Sequence, residues 1–305
     1  MEKVLITGIA GGQGRLVAKR LIDRYEVCGV DRVDWAGRPE GVKVHVVDLT
    51  RKKFEDVIRT ELPDHVIHMG FIRHFRSDEQ TRYDVNVRGT RKLLDHCVHH
   101  GVRSLVVMSS SYVYGAFPEN PYYMDEDSPL SASRSYPEIR DLVEVDALAT
   151  AFLWRYPHIR TTVLRPVNVI GYYVHSMIGQ YLRERRVPTV MGFDPMMQFI
   201  HEDDCATAIA IAVERQLQGV FNVTGPGEVP LHTAIRESGG IAIPVPEFLL
   251  RPALARLFDF GLFPYPPGAL DYLKYPITVS GERFMDAANF QPDHSLRETL
   301  ESVHI

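Results

Sequence analysis

The sequence predicts an α/β fold: a doubly wound parallel sheet with a smaller, mostly C-terminal region beside it. Three observations predict it. Short apolar strand patterns alternate with helical patterns through the first half, glycines cluster directly after the first strand pattern, and the rhythm changes after Arg165-Pro166. A chain of 305 residues can bury one large core or divide into a main domain and a smaller partner. Its 45% hydrophobic and 24% charged residues are ordinary for a globular protein. The net charge of -5, with scattered basic residues, argues against a nucleic-acid surface.

In order, Val4-Leu5-Ile6 is the first strand, and Leu16, Val17, Leu21 and Ile22 recur at helical spacing after it. Strands are expected over 25–30, 42–47, 65–69, 104–108 and 161–164. Helices are expected over 54–59, 83–97 and 137–154. Strands separated by helices give a parallel sheet covered on both faces, and right-handed crossovers fix the winding. Residues 171–199 read as a helix and an irregular methionine-rich segment. Phe199-Ile200, a helix from Asp203 or Asp204 and a strand over 220–223 are expected to return to the sheet. From Gly225 the chain is rich in Pro, Gly and aromatics, which suits a lid poor in long elements. The expected division is therefore 1–167 with 199–224 as the dinucleotide-binding unit, and 168–198 with 225–305 as the substrate region.

Cys28, Cys97 and Cys205 lie far apart without ligand spacing and read as reduced structural thiols. The chain enters its first strand without a leader pattern, and no apolar run is long enough to span a bilayer. A cytoplasmic setting and no membrane partner are expected. No histidine or acidic group has a coherent metal spacing. In His201-Glu202-Asp203-Asp204 an aspartate is expected to cap the next helix.

Thr7-Gly8-Ile9-Ala10-Gly11-Gly12-Gln13-Gly14 lies between a strand and a helix. Glycines at 8, 11 and 14 permit a tight turn and close approach of a pyrophosphate, whose charge is met by the amides of the helix start. Asp31, at the end of the second strand, is suited to accept hydrogen bonds from adenine ribose hydroxyls and to repel a 2′-phosphate. Arg32 beside it would instead attract that phosphate, so NAD is favoured over NADP without excluding it. Asp48-Leu49 would border the adenine, or Asp48 would cap a helix. This is a Rossmann-type fingerprint.

Further segments follow in order: Asn86-Val87-Arg88-Gly89-Thr90, Ser109 to Gly115, Leu164-Arg165-Pro166 to Gly171, Phe199 to Asp204, and Phe221-Asn222-Val223. With the glycine-rich opening, they make the chain resemble the extended short-chain dehydrogenase/reductase family, its NAD-dependent epimerase/dehydratase group. The resemblance implies cofactor contacts from Gly8, Gly11, Gln13, Gly14, Asp31, Arg32, Asp48, Leu49 and Arg165. It also implies a tyrosine that exchanges a proton with a substrate hydroxyl, a lysine four residues later, and a serine on the reacting oxygen. Tyr136 matches the tyrosine, Arg140 stands where the lysine belongs, Ser110 matches the serine, and Asn86 the residue that organises the site. Residues four apart on a helix share a face, so Arg140 is expected beside Tyr136. An arginine there supplies charge but relays protons poorly.

The implied substrate is an alcohol, a ketone or a sugar-like molecule. Ser111-Tyr112 disfavours dehydration, and Met196-Met197-Gln198 lacks the arginine that nucleotide-sugar members commonly carry. Tyr172, Tyr173, Met191, Phe193 and Met196 are candidates for an apolar pocket, with core packing the plainer role for each. Arg183, Arg185 and Arg186 form a basic helix face or a phosphate site. The readings left open are oxidoreduction or epimerisation of a secondary alcohol, a nucleotide-sugar 4-epimerase, and a cofactor-binding regulator without turnover. The resemblance further implies a homodimer packed through helices 86–97 and 137–154.

Overall fold

The computed structural model describes residues 1–75 and 77–304. It opens with β1 (Lys3–Thr7), α1 (Gly12–Leu21), β2 (Glu26–Asp31), β3 (Lys43–Val46), α2 (Lys52–Glu61) and β4 (His65–His68). Next come α3 (Glu79–Tyr83), a π-helical turn over Asp84–Arg88, α4 (Gly89–His99), β5 (Ser104–Met108), α5 (Arg140–Arg155) and β6 (Arg160–Pro166). The remainder holds β7 (Asn168–Ile170), α6 (Met177–Arg183), β8 (Arg186–Val190), β9 (Met196–His201), α7 (Glu202–Glu214) and β10 (Gly219–Val223). It ends with β11 (Glu228–Pro230), α8 (Leu231–Glu237), β12 (Ile241–Val245), α9 (Glu247–Asp259), α10 (Glu282–Ala288) and α11 (Leu296–Glu301).

Seven parallel strands form the main sheet in the order β10-β6-β5-β4-β1-β2-β3. The predicted doubly wound α/β class is the observed one. Strands β1, β4 and β5 are buried on both faces, which is why they read as continuous apolar runs. One core packs α1 and α7 on one face. The other packs Leu93, Leu94 and Cys97 of α4 and Val145, Ala149 and Phe152 of α5 on the opposite face. The three cysteines are buried in these layers, and burial pushes each thiol up to about 12.

Three expectations need correction. Phe199-Ile200 do not return to the main sheet: β9 pairs with β7 and β11 in a separate three-stranded sheet. The stretch after Gly225 holds a 13-residue helix, α9, in which Leu250 and Leu254, one turn apart, face the same buried cluster and Pro246 immediately precedes the first turn. The cap of α7 is His201, whose ring accepts the Asp203 N–H at 3.2 Å; Asp204 instead takes the Asp293 and His294 amides. No helix among the described residues is long and apolar enough to cross a membrane.

A buried ion pair joins helix α5 to the sheet. Asp146 is 0% and Arg165 3% exposed, and the guanidinium meets the carboxylate through Nε at 2.9 Å and Nη2 at 2.7 Å. The carboxylate also accepts the Ser109 hydroxyl at 2.5 Å, while Arg165 donates to the Tyr114 hydroxyl and the Glu126 carbonyl. Such a pair gains little over an apolar core, but losing one partner leaves a buried charge. Asp146→Ala is therefore expected to cost about 3–5 kcal/mol of unfolding free energy in urea titrations. A loss within experimental error would contradict this description.

Candidate functional site

Strand order reverses between β1 and β4, and the glycine-rich turn sits at that crevice. Gly8 has φ +76°, and a Cβ there would lie 2.9 Å from the Met69 carbonyl carbon at the end of β4. Only glycine suits that position. Gly14 packs so closely that a Cβ would strike the Gly8 carbonyl, and Gly11 donates its N–H to that same oxygen at 3.1 Å.

Asp31 ends β2 against this turn. One carboxylate oxygen accepts the Ala10 N–H at 2.9 Å, and the other accepts the Arg32 N–H at 2.7 Å. The second oxygen, Oδ1, also accepts the Val33 N–H at 3.3 Å, so Oδ2, with Ala10 alone, retains acceptor capacity for a ribose hydroxyl. Arg32 is exposed beside it. Asp48 accepts both the N–H and hydroxyl of Thr50 in a turn ahead of α2, and these bonds and nearby Arg32 more than offset burial, leaving its pKa low. It belongs to a cavity of about 340 Å³ lined also by Arg51, Thr81, Arg88 and Lys92. Leu49 is buried against Gly70. The Gln13 side chain is tied to the Glu202 carbonyl, so any phosphate contact there falls to its backbone N–H. Glycine cradle, carboxylate and crevice fit a dinucleotide.

Arg165 is put to a different use. Its donors are taken up by Asp146, Tyr114 and Glu126, so the expected cofactor contact is replaced by the buried pair.

Beyond the end of β5, Ser110 is half-buried and its hydroxyl accepts the Tyr112 N–H at 3.2 Å, starting the turn Ser111–Tyr114. That turn packs against Ala132–Arg134, the turn that leads to Tyr136. Asn86 is buried in the π-helical turn, a local irregularity that frequently marks functional positions. It clasps both backbone polar groups of Ile72 and donates to the Asp141 carboxylate at 2.6 Å.

The expected Tyr136–Arg140 pair is not formed. Tyr136 has φ -134° and ψ 76°, outside the helix, and α5 begins at Arg140. The reason is Pro137, whose ring disfavours helical backbone in the residue before it. Tyr136 turns inward to 1% exposure while Arg140 lies exposed. The tyrosine ring packs on Phe75 and Tyr272, with centroids 5.6 Å away in each case, and Gly268 would carry a Cβ 2.8 Å from its Cδ2. Its hydroxyl is buried without a hydrogen-bond partner. Burial, then Glu138, hold the phenol well above its ordinary pKa, and Arg82 pulls the other way.

Tyr112, Tyr265, Tyr272, Tyr275 and Ile277 supply the apolar surroundings. Of the candidate pocket residues, Phe193 packs on Tyr275 of this cluster and on Lys274, the Tyr173 backbone lies against Gly12 of the glycine-rich turn, and the Tyr172, Tyr173 and Met191 side chains are exposed. Arg183 ties α6 to the Gly171 and Val303 carbonyls. Sequence reasoning missed Arg82, Asp141 and Tyr272. Arg82 had a signal, since it stands four residues before Asn86.

His201, Asp203 and His294 also gather. Their imidazoles stack with centroids 3.7 Å apart and planes 20° from parallel, so their in-plane lone pairs do not converge on one ion.

The family model described as "NAD dependent epimerase/dehydratase family" matches residues 4–224. An uncharacterised protein of Mycobacterium tuberculosis is 32% identical over 260 residues, covering 80% of this chain and 68% of that one. A 3-diazoavenalumate denitrifying reductase from a Streptomyces species is 27% identical, covering 75% and 77%. A crystal structure of UDP-glucose 4-epimerase from Thermus thermophilus, in complex with NAD, superposes with TM-score 0.77 at 22% identity, covering 99% and 98%.

Asp31→Asn keeps an acceptor for Ala10 but removes the charge. By calorimetry, NADH is expected to bind roughly ten- to a hundredfold more weakly, and preference over NADPH to shrink. An unchanged Kd would remove Asp31 from the cofactor site.

Proposed function

Because this chain belongs to the NAD dependent epimerase/dehydratase family, whose cofactor is NAD, we propose that it interconverts a secondary alcohol and its ketone, with Tyr136 as the acid/base group. The observation that carries this reading is the Tyr136 hydroxyl: buried, without a partner, and on a segment packed beside the strand end that bears Ser110. Buried hydroxyls are paired in the great majority of cases, and a role in chemistry is one reason for a hydroxyl to be left unpaired. Bound NADH would rest on the Gly8–Gly14 turn and Asp31 and supply a hydride.

Tyr136 keeps its proton at neutral pH, because burial disfavours the phenolate. It therefore rests in the protonated form that ketone reduction requires, while the same burial weakens it as an acid. Ser110 retains its hydroxyl proton for the same oxygen, since its bond to Tyr112 uses Oγ as acceptor. The aromatic surroundings suit a substrate with an apolar portion. Family relatives include a reductase by name, which is consistent with net reduction. Epimerisation at the same carbinol would use the same residues and differ in consuming no net NADH.

A second reading, a cofactor-binding regulator without turnover, is favoured by the way Gly268 and Tyr272 cover Tyr136.

Tyr136→Phe separates the two. Across a panel of ketones and nucleotide sugars, hydride transfer is expected to fall by about a hundredfold or more while NADH affinity is unchanged. Equal turnover by the variant would exclude Tyr136 as the acid, and no transfer by either protein would support the regulator.

A further inference from the structure

Four buried polar atoms without hydrogen-bond partners are Arg82 Nε, Ser135 Oγ, Tyr136 Oη and Glu138 Oε2. Three belong to the segment that Pro137 bends away from α5. The fourth comes from α3, remote in sequence. Arg82 is 5% exposed, an unusual burial for a cation. Its Nη2 donates to the Glu138 carbonyl, and its guanidinium lies over the Phe75 ring, 4.8 Å from the centroid. Phe75 in turn packs on Tyr136. The Arg82 Nε is 4.0 Å from the Asp141 carboxylate, which Asn86 holds at 2.6 Å.

We propose that Arg82, and not Arg140, is the positioning cation of the Tyr136 site, seated there by Glu138, Phe75 and the Asn86–Asp141 pair. This inference rests on the reading of Tyr136 as the acid/base group. Its physical content is electrostatic. When Tyr136 gives up its proton a phenolate is left in a buried site, and a nearby guanidinium in low-dielectric surroundings stabilises it. Glu138, Tyr272 and Tyr112 oppose ionisation of the phenol, and Arg82, held over the Phe75 ring that packs on Tyr136, favours it. The planar stacking on Phe75 and the bond to a carbonyl explain why arginine occupies the position: lysine offers no flat face and no second donor edge.

The role also assigns a use to Asn86. It fixes Asp141, whose carboxylate limits how much of the Arg82 charge the phenol feels.

The test replaces Tyr136 with 2,3,5-trifluorotyrosine, whose phenol ionises at lower pH, and follows its fluorine resonances against pH in the full-length protein. Arg82→Gln is expected to raise the midpoint by about 1 pH unit or more, Arg82→Lys to restore most of it, and Arg140→Gln to leave it in place. Asp141→Asn keeps the Asn86 bond and is expected to move the midpoint the opposite way, which a purely structural role for Arg82 does not produce. It also serves if Arg82→Gln fails to fold. A midpoint insensitive to Arg82 and Asp141, or one that follows Arg140, overturns the proposal. Failure of the acid/base reading appears separately, as turnover retained by Tyr136→Phe, and would leave the fluorine titration unaffected.

Discussion

The Asp146–Arg165 pair is the constraint on which the rest of the site depends. It spans from the middle of α5 to β6, and through Ser109 and Tyr114 it reaches the end of β5 and the turn beyond. Tyr114 passes the connection on to Asn222 of β10, whose own N–H is taken by Glu126. A single desolvated charge pair therefore sets the height of α5 over the strand ends. The residue after Ser109 and the segment before α5 inherit their positions from it. Full pairing is needed, since the interior gives an unpaired charge no other compensation.

On that platform one local restriction decides the chemistry. With helical backbone, Tyr136 would share a face with Arg140 and stand in the usual relation to its cation. Pro137 prevents this, the chain makes a short 3₁₀ turn over Pro137–Ile139, and the tyrosine ring enters the aromatic cluster of Phe75 and Tyr272. Burial then makes the phenol a reluctant acid, and the segment containing Gly268 covers it. A cation from a different helix compensates. The π-helical turn at Asp84–Arg88 helps, because it lets Asn86 reach Ile72 and Asp141 together.

The parallel sheet was legible because its strands are buried on both faces, so apolar runs marked them without tertiary information. The glycine-rich turn and Asp31 were legible because backbone geometry at a strand-to-helix turn demands particular residue types. At Arg165 the sequence is ambiguous for a physical reason: a guanidinium at a strand end reads alike whether it faces a ligand or a buried aspartate 19 residues away. The Tyr136–Arg140 spacing suggests a shared helix face, but the Tyr-Pro step disfavours helical backbone at Tyr136 and breaks that relation. Arg82 escaped notice because its neighbours, Glu138 and Asp141, are remote in the chain. The small sheets of β7, β8, β9, β11 and β12 depend on long-range pairing, which periodicity in so short a strand does not specify.

The most direct test of the central claim is a crystal structure of the NADH complex with a bound ketone or secondary alcohol. The account predicts the adenine ribose on Asp31 and the Tyr136 hydroxyl within about 2.6–3.2 Å of the carbonyl or carbinol oxygen, with Arg140 in solvent. A nicotinamide directed away from Tyr136, or a Tyr136 hydroxyl still sealed under Gly268 and Tyr272 in that complex, would contradict it.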